Sequence, residues 1–218
     1  MSSKPVKSLL FTEFARVSKA LGSGNRLELL EFLAQGERSV DALAKLSGLS
    51  VANTSQHLRV LRQAGLVGAR KEGLFVYYSV SGGGVIRLLA ALQEVAQNNV
   101  AEVTQLVNTY LTSKDSLEPV SVNDLADRMR NGLVTIVDVR PQEEYAAGHL
   151  PGAIHVPLAD IENNLDALPR DREIVAYCRG PFCVLSFEAV AQLRKHGFSA
   201  RRLETGYPEW KVAGLPVE

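Results

Sequence analysis

Sulfur is scarce in this chain of 218 residues, which holds two cysteines and two methionines. Two cysteines exclude the disulfide framework that holds small secreted domains together. No window approaches the roughly 18–20 uncharged apolar residues that a membrane helix needs, so no membrane partner is expected. The opening "MSSKPVKSLLFTEFARV" has no long apolar run and no small-residue cleavage site, which argues for a cytoplasmic setting. Histidine is rare too. His57, His149, His155 and His196 are scattered and form no ligand cluster, so neither a metal nor a cofactor is expected. Net charge is lacking as well, but the zero conceals an asymmetry. Residues 1–90 carry 12 Lys and Arg against 6 Asp and Glu, whereas residues 119–218 carry 11 against 14. The first part suits a polyanion; the second does not.

Hydrophobic content of 46% and charged content of 22% are ordinary for a globular protein, and the length suits one or two domains. The polar, proline-containing "LTSKDSLEPVS" at 111–121 is the weakest point of the pattern. It divides the chain into a first domain at 1–112, a linker at 113–120 and a second domain at 121–218. The first is mainly helical. Apolar spacing predicts helices over 6–21, 26–33 and 40–46. Ser50 caps a further helix that ends at Gly65. "LVGARKEGLFVYYSV" is a hairpin signal turning about Lys71, Glu72 and Gly73, and a long helix follows over 85–111. The second domain alternates: helix at 122–130, strand "LVTIVDV", helix at 161–168, strand "EIVAYC", helix from Phe182 to Gly197, strand "ARRLE". Alternation of this kind implies an α/β domain, a parallel sheet covered by helices.

The helix at 51–64 has a distinctive surface. Thr54, Leu58 and Leu61 fall at i, i+4 and i+7 and should face the core. Ala52, Asn53, Ser55, Gln56, His57 and Arg59 are left on or near the outer face. Small groups, hydrogen-bonding groups and a cation suit a major groove. Arg70 and Lys71, placed at the hairpin tip, suit phosphates or a minor groove. Alone, such a helix reads as a solvated face, and His57 as either a DNA contact or a packing group. The order of elements argues otherwise: short helices, a polar helix, a basic hairpin and a long helix are the plan of a winged helix-turn-helix. "SQHLRVLRQAGLVGARKEGLFVYYSV" resembles the recognition helix and wing of the small metal- and redox-responsive bacterial repressors of the ArsR type. The likeness covers about residues 8–110. It implies a homodimer joined through its first and last helices, and double-stranded operator DNA with two half-sites. Relatives that sense metals carry cysteines in the third helix, or His with Asp or Glu in the last. "SVDALAKLSGL" has no cysteine and 85–111 has neither His nor Cys, so no sensor is evident in this half.

Both cysteines lie in "VAYCRGPFCVLS". Around it, "TIVDVRPQEEYAAGHLPGAIHVPL" and "ETGYPEWKVAGLPVE" resemble the rhodanese domain, the sulfurtransferase fold, over about 119–218. The likeness implies that Asp138, Arg140 and the loop 149–152 are scaffold, and that Cys178 is the sulfur-carrying nucleophile. Cys178 ends an apolar strand just before a helix. A tight turn through Gly180, Pro181, Phe182 and Val184, whose non-proline backbone N–H groups point inward, should with the helix N-terminus lower its pKa. Arg179 adds a cation if it folds over the loop. The family's loops often carry more basic residues and close on arginine, so less positive charge argues against efficient thiosulfate turnover. Phosphatase relatives need a loop one residue longer with a closing arginine, which Cys183 and Val184 do not provide. Cys183 is open to two readings: a small apolar residue in the helix core, or a second thiol that attacks a modified Cys178.

The expectation is a transcriptional repressor whose rhodanese-like half senses a small sulfur donor or thiol oxidant through Cys178, with or without Cys183. Two rivals stand beside it: an active sulfurtransferase with an attached DNA-binding domain, and a sensor of thiophilic metalloids.

Overall fold

A computed structural model describes residues 5–115 and 117–218. The first four residues of the chain, and Ser116 within the expected linker, lie outside it. The chain divides into two compact units, Met1–Leu89 and Ala90–Glu218. The division therefore falls upstream of the polar segment 111–121.

In the first unit, α1 (Val6–Leu21), α2 (Gly24–Gln35), β1 (Arg38–Ser39), α3 (Val40–Ser47) and α4 (Val51–Gln63) precede the hairpin β2 (Val67–Glu72) and β3 (Phe75–Val80). The three strands form an antiparallel sheet in the order β1-β3-β2. Ser39 and Ser50 accept the backbone N–H of Ala42 and Asn53, each at 3.2 Å, and so cap α3 and α4. Leu29, Leu30, Leu43, Leu58 and Leu61 meet in one fully buried cluster. Thr54, Leu58 and Leu61 are buried as their spacing requires. The hairpin turns later than expected. Glu72 pairs with Phe75, so the tip is Gly73 and Leu74, with Gly73 at φ +59°. A left-handed first central residue favours glycine, and this places the turn. Arg70 and Lys71 consequently lie within β2, opposite Tyr77 and Val76.

The helix expected over 85–111 is interrupted. α5 (Gly83–Asn99) ends at Val100, whose φ of −111° and ψ of 105° are extended. α6 (Ala101–Leu106) then runs into a π-helical segment, Val107–Thr112.

The second unit continues with α7 (Val122–Arg130), β4 (Val134–Asp138), α8 (Gln142–Ala146), β5 (Ile154–His155), α9 (Ile161–Asn164), β6 (Glu173–Tyr177), α10 (Val184–Lys195), β7 (Ala200–Arg202) and α11 (Tyr207–Val212). The strands pair in parallel in the order β5-β4-β6-β7. β6 is central and buried on both faces, which explains its unbroken apolar run. The helix expected over 161–168 is one α-turn between two 3-10 turns, Leu158–Asp160 and Leu165–Ala167. α10 opens at Val184 rather than Phe182, with Cys183 in the N-cap position.

Candidate functional site

The outer face of α4 is built as the sequence implied. Ala52, Asn53, Ser55, Gln56 and Arg59 are exposed and His57 is half-buried. The side chains of Gln56 and Arg59 are open to solvent. The wing is less free. The Arg70 guanidinium donates to Glu37 from Nε (3.3 Å) and Nη2 (2.6 Å), pairs with Glu72, and lies over the Tyr77 ring. Arg70 holds the Glu37 carboxyl below its ordinary range. The expected phosphate-seeking cation is thus neutralised by its neighbours, because the late turn brings it into a strand beside two carboxylates. Lys71 remains exposed.

The sulfur loop joins β6 to α10. Cys178 follows the last residue of β6, and Gly180 to Cys183 closes a turn in which the Cys183 N–H donates to the Gly180 carbonyl at 3.2 Å. Pro181 takes the second position of that turn, where its fixed φ is favourable. The Tyr207 N–H donates to the Cys178 carbonyl at 3.1 Å. Gly206 lies so close behind the loop that a Cβ there would stand 2.3 Å from the Arg179 carbonyl carbon and 2.4 Å from the Gly180 nitrogen. Only glycine fits, and this contact fixes the loop's back wall.

The two sulfurs are joined. Cys178 and Cys183 form a disulfide across a Cα separation of 6.2 Å. Cys183 bonds Cys178 and also packs in the apolar cluster with Val137, Ile174 and Ala189. Cys178 is 1% exposed, and as a bonded sulfur it is not the thiolate that the sequence led one to expect. Bonded sulfurs carry no charge, so their burial has no ionic desolvation cost. Arg179 is corrected too. Its guanidinium holds the fully buried Glu144 carboxylate from two nitrogens, at 2.8 and 3.0 Å, instead of folding over the loop. A buried carboxylate requires such a partner, and Glu144 announced nothing of this in its polar local sequence.

Asp138 and Arg140 are a wholly buried pair. Arg140 reaches Asp138 at 2.6 Å and the Gly148 carbonyl at 2.8 Å, while the Tyr177 hydroxyl donates to Asp138 and accepts the Leu150 N–H at 3.1 Å. Together they tie β4 and β6 to the loop 148–150 and support the strand that ends at Cys178. Burial and the neighbouring Asp138 charge raise the Tyr177 pKa, so the hydroxyl stays protonated as a donor. Among the described residues no cluster of three or more His, Cys, Asp or Glu could hold a metal ion, and no helix is long and apolar enough to cross a membrane.

Comparison with known proteins agrees with both halves. Residues 23–68 match the bacterial regulatory protein, arsR family, and residues 121–213 match the rhodanese-like domain. An HTH-type transcriptional regulator of Mycobacterium tuberculosis is 45% identical over 212 residues, covering 97% of this chain and 93% of that protein. A sulfurtransferase of Allochromatium vinosum is 34% identical over 85 residues, 38% of this chain and 78% of its own length. Among solved structures, the homodimeric winged helix-turn-helix DNA-binding domain of a possible ArsR-family regulator from Mycobacterium bovis is 42% identical. It covers 46% of this chain and 93% of that one, at a TM-score of 0.43. The chain belongs to the ArsR-family HTH-type transcriptional regulators and carries a C-terminal rhodanese-like domain.

Proposed function

We propose that this regulator is a homodimeric, operator-binding repressor that senses reactive sulfur through Cys178 and Cys183. The observation that carries the reading is the bond between them. A protein that reads DNA works among reduced thiols, where a lone disulfide is transient and redox-sensing rather than a structural staple. The chemistry balances with a persulfide, RSSH, as oxidant. The Cys178 thiolate attacks the outer sulfur, forms Cys178–S–SH and releases RS⁻. The Cys183 thiolate then attacks the Cys178 sulfur, the disulfide forms, and HS⁻ leaves. Two thiols are oxidised and one sulfane sulfur is reduced to sulfide.

Burial supplies the switch. A thiolate or persulfide anion in the apolar cluster carries a desolvation cost that the neutral disulfide does not. The reduced loop is biased to open and the bonded loop to close. Such a change alters operator affinity only to the extent that the DNA-binding form prefers one loop state.

The test follows the Cys178–Cys183 peptide by mass spectrometry beside an operator gel shift. Polysulfide should remove two hydrogens from that peptide and release the operator in parallel. Cys178→Ser should keep operator binding and lose the response. Operator release that persists in Cys178→Ser overturns the reading. Sustained thiocyanate formation with cyanide, without operator release, would make the domain a sulfurtransferase. Release by arsenite alone would make the pair a metalloid site.

A further inference from the structure

The second unit contains a cavity of about 380 Å³ whose wall includes Pro181 and Phe182, two of the four residues that separate the two cysteines. Its volume falls in the range of small-molecule sites, at the low end. α5 contributes Gln93 and Glu94 to the lining, and the segment after β7 contributes Glu204 and Thr205.

The lining is of mixed charge, and several of its polar groups lack partners. Arg202 is the cation. Its guanidinium lies 4.2 Å over the Phe187 ring, yet its buried Nε makes no hydrogen bond. The nearest carboxylate, Asp115, stands 3.5 Å away and is held more closely, at 2.7 Å, by Arg194. The Thr205 hydroxyl is likewise buried without a partner. Both groups await an acceptor. Glu94 and Glu204 add exposed carboxylates to the lining, Glu204 within electrostatic reach of Arg202. Both are open to a cation. Glu209 is different: its carboxylate accepts the Gly206 N–H at 3.0 Å, and its burial favours the neutral acid.

A dianion such as thiosulfate would face two carboxylates against one arginine. A molecule carrying both signs satisfies every one of these groups. We propose that the cavity is the donor subsite and takes a small amino-acid-type persulfide. Its carboxylate lies on Arg202 and Thr205, its ammonium on Glu94 and Glu204, and its outer sulfur at the 178–183 loop. This deepens, and rests on, the reading of the cysteine pair as a sulfur sensor.

The full-length reduced protein is mixed with cysteine persulfide or with 3-mercaptopropionate persulfide, which has the same carbon chain and carboxylate but no ammonium. Closure of the Cys178–Cys183 bond is followed by mass spectrometry. Cysteine persulfide should close it about fivefold faster, the order expected when an ammonium pairs with exposed carboxylates. The double variant Glu94→Gln, Glu204→Gln should bring the two rates together. Glu162→Gln, on α9 and outside the cavity, should keep the difference. Equal rates in the wild type, or a difference that survives the double variant, overturns the subsite while leaving the sensor reading standing. Closure by peroxide but by neither persulfide overturns both.

Discussion

At the scale of single residues, burial decides which charges are structural. Glu144 has no exposure and Arg179 little, and they form a two-point ion pair directly behind the loop that holds Cys178. Such a pair contributes modestly when intact, but removing one member strands the other away from water. Glu144→Ala should therefore destabilise the protein by about 3 kcal/mol, the cost of an uncompensated buried charge. Urea denaturation checks this, and a loss below that of an ordinary surface substitution would mean that Arg179 finds solvent easily. The sulfur pair obeys the same rule in reverse: joined, it is neutral and fits an apolar cluster; separated and ionised, it does not. Gly206 shows a third kind of constraint, steric rather than electrostatic, because the loop backbone passes where a side chain would begin.

At the scale of elements, what repeats was legible and what depends on distant partners was not. α4 declares itself through a capping serine, a buried stripe at Thr54, Leu58 and Leu61, and a terminating Gly65 at φ +73°. β4 and β6 declare themselves as apolar runs because both faces of a parallel sheet are covered. Two-residue strands such as β1 and β5 carry no periodicity and exist only through their partners. The break at Val100 has no proline or glycine to mark it. In the candidate site, the two cysteines were legible as neighbours in sequence. The Arg179–Glu144 pair spans 35 residues, and the α5 wall of the cavity belongs to a different part of the chain, so neither was.

The wing carries a prediction of its own. Glu37 and Glu72 occupy Arg70, the cation best placed in β2 to meet a phosphate. Glu37→Gln with Glu72→Gln should free it, raise operator affinity a few-fold at low salt and steepen the salt dependence by about one unit, as one added phosphate contact would. Affinity titrations at several salt concentrations decide the matter, and an unchanged slope would mean that Arg70 never reaches the backbone. Acid works in the same direction. The Glu37 pKa is lowered in the fold, so the pair's contribution is present above the ordinary carboxylate range and is lost as pH falls through the lowered value.

At the scale of the molecule, α5 ties the two readings together. Leu88, Leu92 and Val95 follow one another at i, i+4 and i+7 and are exposed. Ala90, Gln93, Glu94 and Gln97 line the cavity, and at 100° per residue they fall on the opposite side of the helix. α1, in the first unit, separately exposes Leu9, Leu10, Phe11 and Phe14, each by half or more. An exposed apolar stripe along α5 is suited to a second copy of the chain. In the proposed repressor, one helix then has sulfur chemistry on one side and the dimer on the other. The two sides can be separated by substitution. Leu92 is 38% exposed, so Leu92→Asp can be accommodated in the isolated chain, yet it would bury a carboxylate at the dimer contact. The variant should sediment as a monomer and bind the operator about a hundredfold more weakly, because a single half-site loses the gain from joint engagement. Its Cys178–Cys183 bond should still close with cysteine persulfide at the wild-type rate, since the cavity lies across the helix. A dimer that persists would place the contact elsewhere, and a slowed closure would mean that dimer and sulfur loop are not separate faces of α5.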